Sequence, residues 1–224
     1  MPANPITDIE ILTQGLDTLN IAASEQQLQQ LLSYAQLIEK WNKVYNLTAI
    51  KGSGDIIIRH LLDSLAIKPY IYQTHILDIG SGAGLPGIPL AIMLPQSEFT
   101  LLDSNSKKTR FMRQAVLELK LENVQVMHCR IENYVAKPGP ETIVCRAFSS
   151  LSNMVQWTEK LMRPQTRLLA MKGRRSQQEL DELPEWISVK KVNEITIPFL
   201  DAQRHLIELA RSPAQANTKQ EKPE

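Results

Sequence analysis

The apolar positions of this chain change period near residue 75. Before it they recur every three or four residues, the spacing of helices with one apolar face. Ile6, Ile9, Ile11, Leu12, Leu16 and Leu19 predict a short amphipathic helix within residues 6–20. Ser24-Glu25-Gln26-Gln27 has the form of a capping box. Leu28, Leu31, Leu32, Ala35, Ile38 and Trp41 then share one face of a helix expected to stop near Asn42. Asp55 is placed to cap a third helix carrying Ile58, Leu61, Leu62, Leu65 and Ile67, with Arg59, His60 and Asp63 interleaved and Pro69 at its close. Beyond residue 75 short apolar runs alternate with helical stretches. Residues 76–79, 99–103, 124–129, 142–145 and 167–171 read as strands. Ser104 or Ser106 is expected to cap one helix, Ser150 or Ser152 another, and 177–183 is a short third. Residues 187–197 and 205–210 read as a final antiparallel pair.

Strand and helix in alternation imply an α/β fold with a mainly parallel sheet, here of seven strands. The segments divide into a helical extension over 1–72, an α/β core over 73–211 and a polar tail over 212–224 expected to be disordered. The 224 residues, 43% of them apolar, suit one large domain with a small extension. A net charge of +1 does not announce a nucleic-acid partner. The distribution of charge says more, because Lys107, Lys108, Arg110, Arg113, Arg130, Arg146, Lys172, Arg174 and Arg175 gather where strands end and helices begin. The bland alternative for Lys107 and Lys108 is a solvated helix face. Cys129 and Cys145 have neither metal-ligand spacing nor the number for a disulfide framework, which fits a reducing, cytoplasmic setting. No secretory signal and no apolar run of membrane-spanning length is present.

The chemistry concentrates between Ile76 and Asp103. Ile76-Leu77-Asp78-Ile79 is a strand run that enters Gly80-Ser81-Gly82-Ala83-Gly84-Leu85-Pro86-Gly87, and Phe99-Thr100-Leu101-Leu102-Asp103 is the next strand run. Adjacent parallel strands would bring Asp78 and Asp103 to the same carboxyl edge, where ligands bind in open α/β sheets. Gly80, Gly82 and Gly84 allow a sharp turn and close backbone approach. Two cofactors compete for the motif. Gly82 to Gly87 spells G-x-G-x-x-G, the dinucleotide fingerprint, which would rest a pyrophosphate on a helix N-terminus. The frame from Asp78, D-x-G-x-G-x-G, resembles motif I of S-adenosylmethionine-dependent methyltransferases, whose cofactor offers a cationic amino-acid end and a ribose diol. A tight turn with no ligand is the third option. Seven strands, with the last two joined directly and no residues left for a substrate domain, favour the methyl donor over a nicotinamide.

Several segments together resemble the ribosomal RNA small-subunit methyltransferase G family, also called glucose-inhibited division protein B. They are Trp41-Asn42-Lys43 with Asn46-Leu47-Thr48, Arg59-His60-Leu61-Leu62-Asp63-Ser64, Asp78 through Pro89, Leu101-Leu102-Asp103-Ser104, Arg146-Ala147-Phe148, Lys172-Gly173 and Arg204-His205-Leu206. The likeness runs from about residue 28 to residue 210. It implies a Rossmann-like class I methyltransferase fold with an N-terminal helical cap, S-adenosyl-L-methionine as cofactor, and methyl transfer to N7 of guanine 527 in the 530 loop of 16S ribosomal RNA. The implied partner is that RNA, within the small ribosomal subunit or an assembly intermediate, with no membrane and no metal. It further implies donor contacts at Gly80, Leu85, Ile131, Glu132 and Arg146, beside Asp78, Gly82 and Asp103 from the motif. The chain departs from the family pattern at Asn105-Ser106, Glu141 and Cys145.

Guanine N7 already carries an in-plane lone pair, so such a reaction needs alignment and water exclusion more than a general base. Arg146 is suited to donate to guanine O6 or a phosphate, and Phe148 to stack on a base. Alternatively Arg146 pairs with Glu132 and Phe148 is core. Lys172 and Arg204 are assigned to phosphates, with surface salt bridges as the alternative. Of the four histidines only His60 lies in a family segment and is placed with the RNA contacts. A nucleotide-binding oxidoreductase, a non-catalytic RNA-binding module and a methyltransferase for another RNA or a small molecule are the competing functions.

Overall fold

The computed structural model describes residues 6–146, 150–173 and 176–213. Among the described residues, three longer helical segments and a 3-10 turn (Lys68–Tyr70) precede the sheet. Helix α1 (Asp8–Thr18) and helix α2 (Glu25–Tyr45) both begin at capping boxes, on Thr7 with Glu10 and on Ser24 with Gln27. Helix α2 runs past the expected stop at Asn42 to Asn46, which caps it in the left-handed conformation with φ of 50°. Asn can adopt that conformation, which ends a helix as glycine would. The third segment starts at Ser53 rather than at an Asp55 cap. It passes from α3 (Ser53–Ile56) through a π-helix (Ile57–Leu62) into α4 (Asp63–Leu65). Asp55 instead lies in the first turn and faces Arg59 one turn on, at 3.5 Å. The periodicity of Ile58, Leu61 and Leu62 cannot distinguish an α from a π turn. Tertiary partners of His60 and Asp63, described below, hold the wider one.

The seven strands are β1 (His75–Ile79), β2 (Glu98–Asp103), β3 (Val124–His128), β4 (Thr142–Arg146), β5 (Arg167–Lys172), β6 (Ile187–Glu194) and β7 (His205–Arg211). They form one sheet in the order β3-β2-β1-β4-β5-β7-β6. The first five are parallel, and β7 runs antiparallel between β5 and β6. The chain therefore winds outward from β1 to β3 and then restarts on the other side at β4. The reversal leaves a crevice at the carboxyl ends of β1 and β4, the usual ligand position in such sheets. Helices α5 (Gly87–Met93) and α6 (Ser106–Glu118) follow β1 and β2, and α7 (Leu151–Thr158) and α8 (Gln177–Asp181) follow β4 and β5. Asn105, not Ser104 or Ser106, caps α6, accepting from the Lys107 and Lys108 amides. Ser150 caps α7.

Alternate residues of the central strands feed two apolar layers, as two-sided burial requires. Ile76, Phe99, Leu101 and Val144 pack with the N-terminal helices, α5 and α6. Leu77, Ile79, Leu102, Ile143 and Cys145 pack with α7 on the opposite face. Helix α2 does more than cover this sheet. Its Tyr34 is fully buried, and the phenol donates to the Ala83 carbonyl in the turn after β1. Cys129 and Cys145 are free thiols. No helix among the described residues is long and apolar enough to cross a membrane.

Tyr34→Phe removes the donor to a buried carbonyl without changing the packing volume. The expected cost is about 1–3 kcal/mol, read as a lower urea midpoint with unchanged slope.

Candidate functional site

The turn after β1 is built by two carboxylates. Asp78 is fully buried, and its Oδ2 accepts the Gly87 amide at 2.8 Å, fixing the first residue of α5. Asp103, at the end of β2, accepts the Gly82 amide at 2.9 Å through Oδ2 and the Asn105 amide at 2.8 Å through Oδ1. Ser81 links the strands, its amide donating to the Leu102 carbonyl at 3.1 Å and its hydroxyl to the Asp78 carbonyl at 2.8 Å. Gly80, Gly82 and Gly84 have φ of 64°, 60° and 86°, the left-handed region where a Cβ is costly. Gly87 is required for space, since a Cβ there would lie 2.1 Å from Leu101 Cδ2 and 2.7 Å from Asp78 Oδ2.

Asp78 Oδ1 is buried and has no hydrogen-bond partner. Burial pushes this carboxyl up to about 7, against the lowering effects of the Gly87 amide, Ser81 and Arg146. An unpaired buried carboxylate oxygen beside an open turn suits a cationic ligand group. It does not suit a pyrophosphate, because the Gly87 amide that would cradle one is already taken by an acid. Leu85 is buried against the same turn, and Gly80 and Gly82 are partly exposed. Beyond β3, Ile131 is buried and Glu132 exposed on a short 3-10 turn.

A second cluster lies at the carboxyl ends of β4 and β5. Asp63, buried at the start of α4, accepts from Arg146 Nη1 at 3.0 Å and from Arg204 Nε at 2.7 Å. Arg146 thus pairs with Asp63, not with Glu132. Its Nη1 also donates to the Arg59 carbonyl at 3.2 Å, and its Nη2 to His60 Nδ1 at 3.1 Å. His60 Nδ1 also lies 3.1 Å from the Arg59 carbonyl, and its Nε2 is 2.8 Å from Thr48 Oγ1, so both ring nitrogens are engaged. Burial, then the neighbouring Arg146 charge, lower His60 to about 4. Asn42 supports this arrangement from α2, accepting the Thr48 amide at 2.9 Å and donating to the Ile50 carbonyl at 3.3 Å. Lys172 pairs with Glu179 at 3.0 Å. Arg59, His60, Asp63, Arg146, Lys172 and Arg204 border a cavity of about 340 Å³.

Residues far apart in sequence therefore converge: Asn42, Thr48, His60, Asp63, Arg146 and Arg204 form one bonded network. The expected RNA-side residues Arg146, Lys172 and Arg204 line the cavity, whereas His60 is 7% exposed with both ring nitrogens engaged. Phe148, Arg174 and Arg175 lie outside the described residues. The motifs contained Ser81, Gly87 and Asp63 without giving them a role, and Tyr34 lay outside every motif. Asp63 carried a signal, an acid interleaved among the apolar residues of a helix expected to be buried on one face.

The family described as rRNA small subunit methyltransferase G (GidB) matches residues 27–207. A ribosomal RNA small subunit methyltransferase G of Nitrosococcus oceani is 50% identical over 199 residues, 89% of this chain and 93% of that protein. One from Pseudomonas syringae pv. tomato is 47% identical over 201 residues, 90% of this chain and 95% of that protein. Among solved structures, magnesium protoporphyrin IX methyltransferase of Synechocystis PCC 6803 with bound SAH aligns with a TM-score of 0.58. It is 14% identical and covers 82% of this chain and 100% of that one, a likeness of fold.

Asp63→Ala would leave Arg146 and Arg204 facing each other without their shared counter-ion, at an expected cost of about 3 kcal/mol in urea unfolding. Asp78 and His60 act on stability with opposite sign. Asp78 has an ordinary value of 3.8 and a folded value of about 7. Between them the folded state holds the extra proton, and stability falls as pH rises. His60 has an ordinary value of 6.5 and a folded value of about 4. There the unfolded state holds the extra proton, and stability falls as pH drops. Each slope is at most about 1.4 kcal/mol per pH unit, so the two offset each other in their shared range. Asp78→Asn is expected to expose the His60 slope, with the urea midpoint falling more steeply on acidification than in wild type. Parallel profiles would show that Asp78 ionises normally.

Proposed function

The chain belongs to the rRNA small subunit methyltransferase G family, and on that premise we propose that it transfers a methyl group from S-adenosylmethionine to N7 of guanine 527 in 16S ribosomal RNA. The observation that carries the reading is the meeting of two unlike neighbourhoods at one sheet edge. One is a glycine turn bracketed by two carboxylates, with the buried Asp78 Oδ1 unpaired. The other is the cavity where Arg146, Lys172 and Arg204 supply three cations.

S-adenosylmethionine fits the first neighbourhood. Asp78 and the Gly80 backbone would hold its cationic amino-acid end. The carboxylate of Asp103, with lone pairs left beyond the Gly82 and Asn105 amides, would take the ribose diol. Gly82 and Leu85 would line the turn, and Ile131 with Glu132 would border the base. When bound, this group supplies an electrophilic sulfonium methyl. Guanine N7 needs no deprotonation, so the residues of the second neighbourhood have to orient the base and exclude water. Arg146 ends β4, the strand beside β1, so its charge lowers Asp78 while its guanidinium is bonded on the cavity side. Asp63 and His60 hold its guanidinium, so His60 acts through Arg146 and stays neutral at physiological pH. Arg204 and Lys172, which line the cavity, would contact the phosphates on either side, and Phe148, assigned from the sequence alone, would stack on a base. N7 lies in the deep groove of A-form RNA, so the target must be single-stranded or splayed. The small subunit or its assembly intermediate, in the cytoplasm, is the substrate proposed.

An oxidoreductase using the G-x-G-x-x-G frame is disfavoured by the acid on the Gly87 amide. Calorimetry with S-adenosylhomocysteine and with NAD separates the two, and binding of NAD alone would overturn the proposal. Labelled methyl should appear as N7-methylguanosine in small subunits taken from cells lacking this chain. Asp103→Asn is expected to weaken S-adenosylhomocysteine about tenfold, through loss of charge-assisted hydrogen bonds, with RNA affinity unchanged.

A further inference from the structure

Helix α6 carries cations that the site above does not use. Its buried face is Thr109, Phe111, Met112 and Ala115. On the other side Lys107, Arg110 and Arg113 are exposed, and among the described residues none of them pairs with a carboxylate. An ordinary solvated helix interleaves acids one turn from its bases. Here residues 106–117 contain no acid, and Glu118 is engaged by Gln114 at 2.7 Å. The three cations border a groove of about 640 Å³ together with Tyr45, Leu117 and His128. Leu117 is 72% exposed. Tyr45 belongs to the last turn of α2, and its ring stacks on Trp41 at 5.2 Å with 22° between planes, so the aromatic face is held in place. The groove includes Ser106, the first residue of α6, and His128, the last of β3, which put it at the carboxyl edge of the sheet that also carries Asp103.

Unpaired Lys and Arg, a fixed aromatic ring and an exposed aliphatic side chain in one groove match the requirements of a single nucleic-acid strand. Cations follow the phosphates, and the apolar surfaces receive bases without reading their sequence. We propose that the groove between α6 and the end of α2 binds a single-stranded segment of RNA flanking the nucleotide to be methylated. The proposal rests on the methyltransferase reading and adds a second contact region, on the opposite side of the donor turn from Arg146 and Arg204. It gives the N-terminal helices a part in substrate binding through Tyr45.

The test uses the full chain, small subunits lacking the modification, and the double variant Arg110→Ala/Arg113→Ala. KM for the subunit is expected to rise about tenfold, with kcat within about twofold. The slope of log affinity against log salt should fall by about 1.4, two phosphates at about 0.7 each for single strands. Tyr45→Leu is expected to raise KM without changing that slope. S-adenosylhomocysteine affinity should be unaltered in both, and thermal unfolding unaltered in the arginine variant and only slightly lowered in Tyr45→Leu, which loses the stack on Trp41. Lys190→Ala/Lys191→Ala, on the distant β6, serves as the control for diffuse charge. Unchanged KM and slope in the α6 variant would overturn the proposal. So would a change no larger than the control's, or a loss of donor affinity, which would make α6 part of the donor site. Absence of methyl transfer by the wild-type chain would strike the functional reading instead.

Discussion

Two carboxylates at the ends of neighbouring strands hold the backbone of one turn, and much of the molecule follows from that. Asp78 takes the Gly87 amide and Asp103 takes the Gly82 amide. A carboxylate accepting a backbone N–H is among the stronger hydrogen bonds available to a chain. Two of them across a turn of eight residues leave it little freedom. The turn sets where α5 begins, and α5 packs on β2 so closely that position 87 admits no Cβ. The same acids give the turn its ligand preference. They put negative charge where a dinucleotide would need amides, and leave one buried oxygen for a cation.

The opposite half of the edge depends on a third acid. Asp63 comes from the helices before the sheet, while its partners Arg146 and Arg204 come from β4 and the approach to β7. One buried carboxylate therefore ties three distant parts of the chain. Breaking such a bridge is costly because the remaining charges stay buried and unpaired. With Tyr34 on the Ala83 carbonyl, it makes the N-terminal helices part of the site's construction. They brace the donor turn at one end and orient the arginine of the substrate cavity at the other.

The structure departs from the sequence pattern at helix boundaries, in one helix's winding and in one ion pair. Helix α2 outran Asn42 because Asn46 accepts a left-handed backbone, and α6 is capped by Asn105 because its side chain reaches two amides. The π-helix at Ile57–Leu62 left no mark in the apolar spacing, since His60 and Asp63 take their places from Thr48, Arg146 and Arg204. Pairing of Arg146 with Glu132 was reasonable for two residues close along the chain, but Glu132 faces solvent on the β3 side.

What the amino-acid order alone determined was everything that depends on near neighbours. Period-two and period-three-to-four spacing dictated seven strands and their helices. The glycine spacing dictated a left-handed turn, and the acids at the strand ends dictated its edge. Tertiary structure alone decided the strand order, the insertion of β7 between β5 and β6, and the partners of Asp63, Arg146 and Arg204. The physical reason is range. Backbone sterics and apolar periodicity act over a few residues and are written locally. The pairing of a buried charge is settled only when segments as distant as Asp63 and Arg204 are brought within 2.7 Å.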